Sequence, residues 1–264
     1  MLTYPAPDPV AFHIGSWPVY WYGLMYLFSF MIGWGLLSLR LRLRPQKITQ
    51  EELSDIIFYA ALGVILGGRI GYILFYDWQI FLSEPLLIFQ IWKGGMSFHG
   101  GLLGVIFSLW FYCRKSGIPL LILTDFIAPI VPIGLAAGRI GNFINGELIG
   151  RVTHVPWGMI FPLGGALARH PSQLYEFLLE GVLLFAILWT YSRKSRPAGA
   201  ISGSFLLFYG ILRFSVEFFR EPDPQIGYIA GWMTEGQILS IPMICAGAIL
   251  ILWAYHWAQP ESLK

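Results

Sequence analysis

The sequence predicts an all-α polytopic membrane protein, with about seven transmembrane helices and a small irregular head on the outer side. Three observations carry this. Of 264 residues, 56% are hydrophobic and only 12% charged, whereas a soluble domain carries about 25% charged residues; the mean hydropathy is +0.63. Apolar runs of roughly 20 residues, the length that spans a bilayer, recur along the whole chain. The loops between them alternate in basic content, as the positive-inside rule requires. The chain is read as a single integral membrane domain over residues 1–264, the head being an insertion at about 142–171.

Taken in order, residues 1–18 form a leader rich in proline and aromatics, expected to lie on the interface. No Lys or Arg precedes the first apolar run, which is too long for a signal-peptide core, so it should remain as the first helix. The spans are expected at about Val19–Leu39, Ile56–Phe75, Met96–Tyr112, Leu120–Ala137, Ser172–Tyr191, Gly199–Phe219 and Gly236–Trp257. Arg40, Arg42, Arg44 and Lys47 follow the first span, Arg114 and Lys115 the third, and Arg193, Lys194 and Arg196 the fifth. These loops are assigned to the cytoplasm, which puts the N-terminus outside and the C-terminus, with Lys264, inside. Lys93, Arg151, Arg169 and Arg220 are spread over the other side. The segment Asp77 to Gly95, apolar over Leu86 to Trp92, reads as an interfacial helix on the outer side, and the Gly- and Pro-rich segment from about Asn142 to Pro171 as the head.

The polar residues inside these runs carry the functional reading, because an ionisable side chain at membrane depth is expensive and marks a site by default. Gly138-Arg139-Ile140-Gly141-Asn142 closes span four, with Arg139 and Asn142 three apart on one helix face. Asn145, Glu147 and Gly150 follow. Span six carries Tyr209, Arg213, Glu217 and Arg220 at spacings of four, four and three, which would place all four on one face. A planar guanidinium fork matches phosphate oxygens, so these arginines read as an anion site and Glu217 as the group that orients them. Packing glycines with a snorkelling arginine, and a structural Arg–Glu pair, are the plainer alternatives. His99, flanked by glycines, is either a general base or a hydrogen-bonded structural residue. In His170-Pro171-Ser172, Ser172 is expected to cap a helix start, and Glu176 one turn on is unusual in a membrane. Tyr20, Trp21 and Tyr22 read first as an aromatic belt. The echo of Gly138–Gly141 at Gly67-Gly68-Arg69-Ile70-Gly71 reads as two arginines at similar depth.

Other chemistries find less support. Cys113 and Cys245 lie far apart without an adjacent base, which argues against a covalent acyl-enzyme. Metal-type His and Cys spacing is absent, and no cofactor is expected. A net charge of +2 does not point to nucleic acid. A phosphate clamp, a possible base and a lipid-facing cavity toward the outer leaflet describe a membrane enzyme acting on a phospholipid head group. A transporter or flippase for an anionic lipid, using the same arginines, stays open, as does a head-group transferase of the kind that holds metal with clustered aspartates.

The ordered set Tyr20–Gly23, Gly67–Gly71, Ser97–Gly104, Gly138–Gly150, His170–Glu176 and Tyr209–Asp223 resembles prolipoprotein diacylglyceryl transferase, a bacterial membrane enzyme family. The resemblance implies transfer of the diacylglyceryl group of phosphatidylglycerol to the lipobox cysteine of a prolipoprotein, giving a thioether and releasing glycerol phosphate. It would be the first step of lipoprotein maturation, in the bacterial inner membrane. It implies that His99, Arg139 and Arg213 are catalytic. Arg139, Asn142, Glu147, Gly150, Tyr22, Tyr209, Glu217 and Arg220 would bind substrate, with Gly150 keeping the loop in its turn. The partners implied are phosphatidylglycerol, the signal peptide of a prolipoprotein and membrane lipids. The nucleophile belongs to the substrate, which fits the missing nucleophile here.

Overall fold

The structure, a computed structural model, describes residues 2–43, 48–90, 94–222, 227–229 and 231–256. Sequence readings that rested on Arg44, Lys47, Trp92, Lys93, Asp223, Trp257 and Lys264 lie outside the described residues. The chain divides into two compact units, one of Met1–Leu36 with Thr124–Lys264 and the other of Leu37–Leu123.

In the first unit a hairpin of β2 (Val10–Ile14) and β3 (Trp17–Tyr20) leads into α1 (Trp21–Leu43). The leader expected on the interface is therefore partly strand. Its first residues, β1 (Leu2–Thr3), pair in parallel with β4 (Met159–Ile160) of the head. The span after Leu120 is built in two pieces, α5 (Leu120–Ile127) and α6 (Val131–Asn145), joined by a 3₁₀ turn at Ala128–Ile130. Pro129 and Pro132 explain the break, since each removes a backbone donor from the helical ladder. The next span runs through α7 (Ser172–Glu176), a π-helical stretch Phe177–Leu183 and α8 (Leu184–Tyr191). α9 (Ala200–Val216) and α10 (Glu235–His256) complete the unit. They approach closely because Gly203, Gly210 and Gly247 face the opposite helix; a Cβ on Gly210 would stand 3.1 Å from the Ser240 carbonyl oxygen. Buried Asp125 of α5 accepts from the backbone N–H of Gly199 (2.8 Å) and Ser202 (2.7 Å), supplying α9 with the carboxylate its N-terminus favours.

The second unit is a helical pair. α2 (Gln50–Tyr76) opens with a capping box between Thr49 and Glu52. Short α3 (Trp78–Ser83) and a 3₁₀ turn at Pro85–Phe89 follow where an interfacial helix is expected. α4 (Phe98–Ser116) then packs on α2 through Gly63, Gly67 and Gly71 on one side and Gly100 and Gly104 on the other. Arg69 is buried at 3% exposure and donates to the carbonyls of Ile88 (3.2 Å), Gly94 (2.6 Å) and Gly95 (3.1 Å). That set of acceptors makes Arg69 a clasp on the connection between α3 and α4.

Each of the seven expected spans overlaps a described helix, although Val19 and Tyr20 belong to β3 and Met96 and Ser97 precede α4. By length and composition, five described helices are long and apolar enough to cross a membrane: Trp21–Leu43, Gln50–Tyr76, Leu120–Asn145, Ser172–Tyr191 and Glu235–His256. Ala200–Val216 is apolar but shorter. The side-chain distribution inverts that of a soluble domain. Phe58, Phe107, Leu178, Ile249 and Leu252 are exposed, while Glu176, Glu180, Arg213 and Glu217 are buried. Such an apolar exterior belongs in lipid.

Candidate active site

Two arginines from different helices converge on one pair of carboxylates. α6 lies tight against the π-helical stretch, where Gly181 meets Ala136; a Cβ on Gly181 would come within 2.6 Å of the alanine's own. That approach brings Arg139 of α6 onto Glu176, Nε to Oε2 at 2.6 Å, and within 3.7 Å of Glu180. Arg213 of α9 reaches the same two carboxylates from the other side, Nη1 standing 2.5 Å from Glu176 Oε1 and 3.5 Å from Glu180 Oε1. Its Nη2 takes Glu217 at 2.6 Å, and Glu217 in turn meets Arg220 Nη1 at 3.2 Å. Buried ion pairs of this kind cost desolvation and return it only through close geometry with further hydrogen bonds. Thr234 provides one, donating to Glu217 Oε2 at 2.6 Å. Gly236 leaves room for that carboxylate; a Cβ there would lie 2.5 Å from it.

The segment after Arg139 is held by its own polar residues. Arg139 and Asn142 share a face, Nη1 standing 3.4 Å from Oδ1. α6 runs through Asn142 as far as Asn145, where an irregular segment is expected from about Asn142. Gly146, at φ 68°, ends the helix in the left-handed conformation that only glycine adopts cheaply. Glu147 then folds back to accept from Asn142 Nδ2 (2.8 Å) and Asn145 Nδ2 (3.2 Å). Leu148 sits at φ 56°, a strained value for a side chain of its size. It is fastened by Ser172, whose hydroxyl donates to its carbonyl at 2.9 Å, while Gln173 Nε2 donates to the Glu147 carbonyl at 2.5 Å. Ser172 therefore does not cap its helix: the cap position falls on Pro171, and the hydroxyl instead clamps the preceding loop.

Gly150 also differs from expectation. Its φ is not positive; it is needed for close approach, not for a turn. Its N–H donates to the His170 carbonyl at 3.0 Å, and a Cβ would stand 2.6 Å from the Phe219 carbonyl oxygen. Arg151 extends this seam, donating to the carbonyls of Arg220 (2.9 Å) and Glu217 (3.2 Å). Arg169 donates to the Gly150 carbonyl at 3.1 Å and pairs with Glu221 at the same distance. The head is thus tied by backbone and arginine bonds to the stretch that carries Glu217 and Arg220.

Comparison with known proteins bears on what this arrangement serves. A family model described as prolipoprotein diacylglyceryl transferase matches residues 9–253. The chain belongs to that family. A relative from Coxiella burnetii, named phosphatidylglycerol–prolipoprotein diacylglyceryl transferase, is 59% identical over 257 residues, covering 97% of this chain and 98% of its own. One of the same name from Pseudomonas paraeruginosa is 57% identical over 265 residues, covering 99% and 100%.

For a prolipoprotein diacylglyceryl transferase the other expected site residues fall as follows. Tyr22, in the first turn of α1, lays its ring against Gly141 and lies 5.4 Å from the Tyr26 ring. A cavity of about 540 Å³ beside it is lined by Tyr20, Leu24 and Asn145 among others. Tyr209, one turn before Arg213, stacks on Phe205. The expectation that Tyr209, Arg213, Glu217 and Arg220 occupy one helix face holds as far as Glu217, whose N–H still bonds the Arg213 carbonyl at 3.2 Å and whose carboxylate meets Arg213 one turn back. α9 ends at Val216, Glu217 is its C-terminal cap, and Arg220 reaches back from beyond the helix. His99 belongs to the second unit. It is exposed in the first turn of α4, behind the cap Ser97, whose hydroxyl accepts from Gly100 N–H at 3.2 Å. At the mouth of α7, Trp157 Nε1 donates to Tyr175 Oη at 2.7 Å, leaving the phenol proton for His170 Nδ1 at 3.0 Å. Burial holds the His170 imidazole below its ordinary range, consistent with a neutral ring.

Sequence reasoning named Glu217 but passed over the two carboxylates that Arg139 and Arg213 share. Glu176 stood out as unusual without a role, and Glu180 was not singled out at all. The signal was present: two glutamates four apart in an otherwise apolar run must face protein, not lipid.

Proposed function

We propose that this chain transfers the diacylglyceryl group of phosphatidylglycerol to the thiol of a prolipoprotein lipobox cysteine. The thiolate sulfur forms a bond to the glyceryl carbon. The carbon–oxygen bond to phosphate breaks with its electrons on oxygen, and glycerol phosphate leaves. The thiol proton passes to a base, the role proposed for His99; holding the glyceryl hydroxyl is the alternative role for that residue. The observation that carries the reading is the convergence of Arg139 and Arg213 on shared carboxylates inside an apolar helix bundle. When the lipid phosphate enters, it takes over guanidinium donors now spent on Glu176 and Glu180. As the leaving group gains charge, those donors hold it more strongly, which lowers the barrier.

In this reading Asn142 and Glu147 position lipid or lipobox backbone, Tyr22 and Tyr209 line the cavity, Glu217 orients Arg213, and Arg220 assists or gates access of the peptide. Gly150 lets the head close on the stretch before Glu221. The site faces the outer leaflet of the bacterial cytoplasmic membrane, with the N-terminus outside and the C-terminus inside, a topology supported by the basic loops.

The test is a defined reaction of purified protein, phosphatidylglycerol and a lipobox peptide, read by mass. The expected result is a diacylglyceryl adduct that a Cys-to-Ser peptide does not form and that Arg139→Ala reduces by about a hundredfold or more. Absence of adduct from folded wild-type protein given the correct lipid overturns the reading, and lipid movement between leaflets would then be measured.

A further inference from the structure

We propose that Glu176 and Glu180 act as one proton-sharing pair that takes up a single proton when an anionic phospholipid binds between Arg139 and Arg213. This rests on the functional reading above and adds a charge rule to it. The ion-paired cluster holds three guanidiniums, Arg139, Arg213 and Arg220, and three carboxylates, Glu176, Glu180 and Glu217. Fully ionised, these six side chains sum to zero charge. A phosphodiester lipid brings one negative charge, which a neutral buried cluster leaves uncompensated at steep desolvation cost. One proton on a carboxylate makes the cluster +1 and restores the balance.

The geometry points to where the proton goes. Glu217 is committed, held by Arg213, Arg220 and the Thr234 hydroxyl. Glu176 takes the short contacts of both central arginines. Glu180 is left with the long ones, at 3.5 and 3.7 Å, although its side chain is fully buried. Neither Glu176 Oε2 nor Glu180 Oε2 accepts a hydrogen bond among the described residues, but the first stands 2.6 Å from Arg139 Nε and the second 3.7 Å from Nη2. The charged or titratable groups facing Glu180 are Arg139 from α6, Arg213 and Tyr209 from α9, and Glu176 from its own helix. Glu180 also lies in the π-helical stretch, a distortion found mostly at functional sites. Once phosphate draws the two guanidiniums away, two adjacent carboxylates remain in an apolar setting, and like charges so placed do not both stay ionised.

The sign follows. Protons favour the lipid-bound state, so affinity for phosphatidylglycerol is strongest at low pH and weakens as pH rises. Between the pair's titration in the free protein and its higher titration in the lipid-bound protein, affinity falls about tenfold per pH unit.

The experiment uses full-length wild-type protein in weakly buffered detergent, with a pH indicator and protein-free micelles as the blank. Phosphatidylglycerol is added, and separately phosphatidylcholine with the same acyl chains. Expected are uptake of about one proton per phosphatidylglycerol bound, none with phosphatidylcholine, and the stated slope of Kd with pH. Glu180→Gln is already +1, so it should bind phosphatidylglycerol with neither uptake nor slope. Wild-type binding without proton uptake defeats this proposal alone and leaves the transferase reading standing. Persistent uptake by Glu180→Gln overturns the assignment to the pair. No saturable binding of phosphatidylglycerol by folded protein defeats both. The wild-type measurements decide the matter even if the variant fails to fold.

Discussion

The cluster between α6, α7 and α9 and the seam between α2 and α4 both hold apolar helices together, by opposite means. At the cluster the contacts are ionic: Arg139 and Arg213 clasp glutamates at 2.5 to 2.6 Å. At the seam they depend on missing side chains: a Cβ on Gly104 would lie 2.7 Å from the Gly67 Cα, and one on Gly71 2.6 Å from the Gly100 Cα. Both answer the same constraint. Lipid gives apolar helices little reason to associate, so close backbone packing or interhelical polar bonds must supply it. The difference lies in what each leaves available. A glycine seam is finished once formed, whereas a charged cluster has donors that can change partners and thereby bind an anion.

The largest expected effect comes from breaking the charged side. Arg213→Lys keeps the charge but replaces a fork serving three carboxylates with a single ammonium. A loss of about a hundredfold or more in transfer rate is expected in the peptide-adduct assay, and near wild-type turnover would show that charge alone suffices. Next comes the seam. Gly104→Ala places its methyl against the backbone of α2 and should cost about 1–3 kcal/mol, read as a lowered thermal midpoint in detergent. An unchanged midpoint would mean that the helices can separate at no cost.

The smallest effect concerns the head. Burial lowers the His170 pKa in the folded protein below the free value, about 6.5. Folding therefore disfavours the protonated ring. The stability it contributes is complete above about pH 6.5 and is lost as pH falls toward the depressed folded value. Proteolysis of the head should speed up modestly on acidification, and His170→Gln should flatten part of that dependence. An identical pH profile in the variant would remove His170 as the cause.

Much of this was legible beforehand. Arg139, Asn142 and Arg213 betrayed themselves because polar groups in an apolar run need a protein partner. What misled was the assumption that local periodicity continues. Arg220 was put on the helix face of Arg213 and Glu217 by spacing, yet the helix ends at its cap Glu217 and Arg220 returns to that residue from beyond it. Ser172 looked like a cap by position, but a carbonyl 24 residues earlier, that of Leu148, competes for its hydroxyl. Gly150 looked like a turn residue, when it is the approach of His170 and Phe219 that excludes a side chain there.

The sequence alone determined that the protein is a helical membrane protein and roughly where its helices run, and it singled out arginines inside those helices as candidate site residues. Composition and apolar run length suffice for that, because the bilayer imposes one dominant free-energy rule along the whole chain. Only the tertiary structure decided which groups neutralise those arginines. Glu176, Glu180 and Glu217 meet Arg139 and Arg213 because Gly181 seats on Ala136 and Gly236 leaves a carboxylate its space. Apart from Glu217 with Arg213, which are four residues apart, these partnerships join residues more than thirty positions apart in the chain. Helix-to-helix distance fixes them, and no local pattern records it.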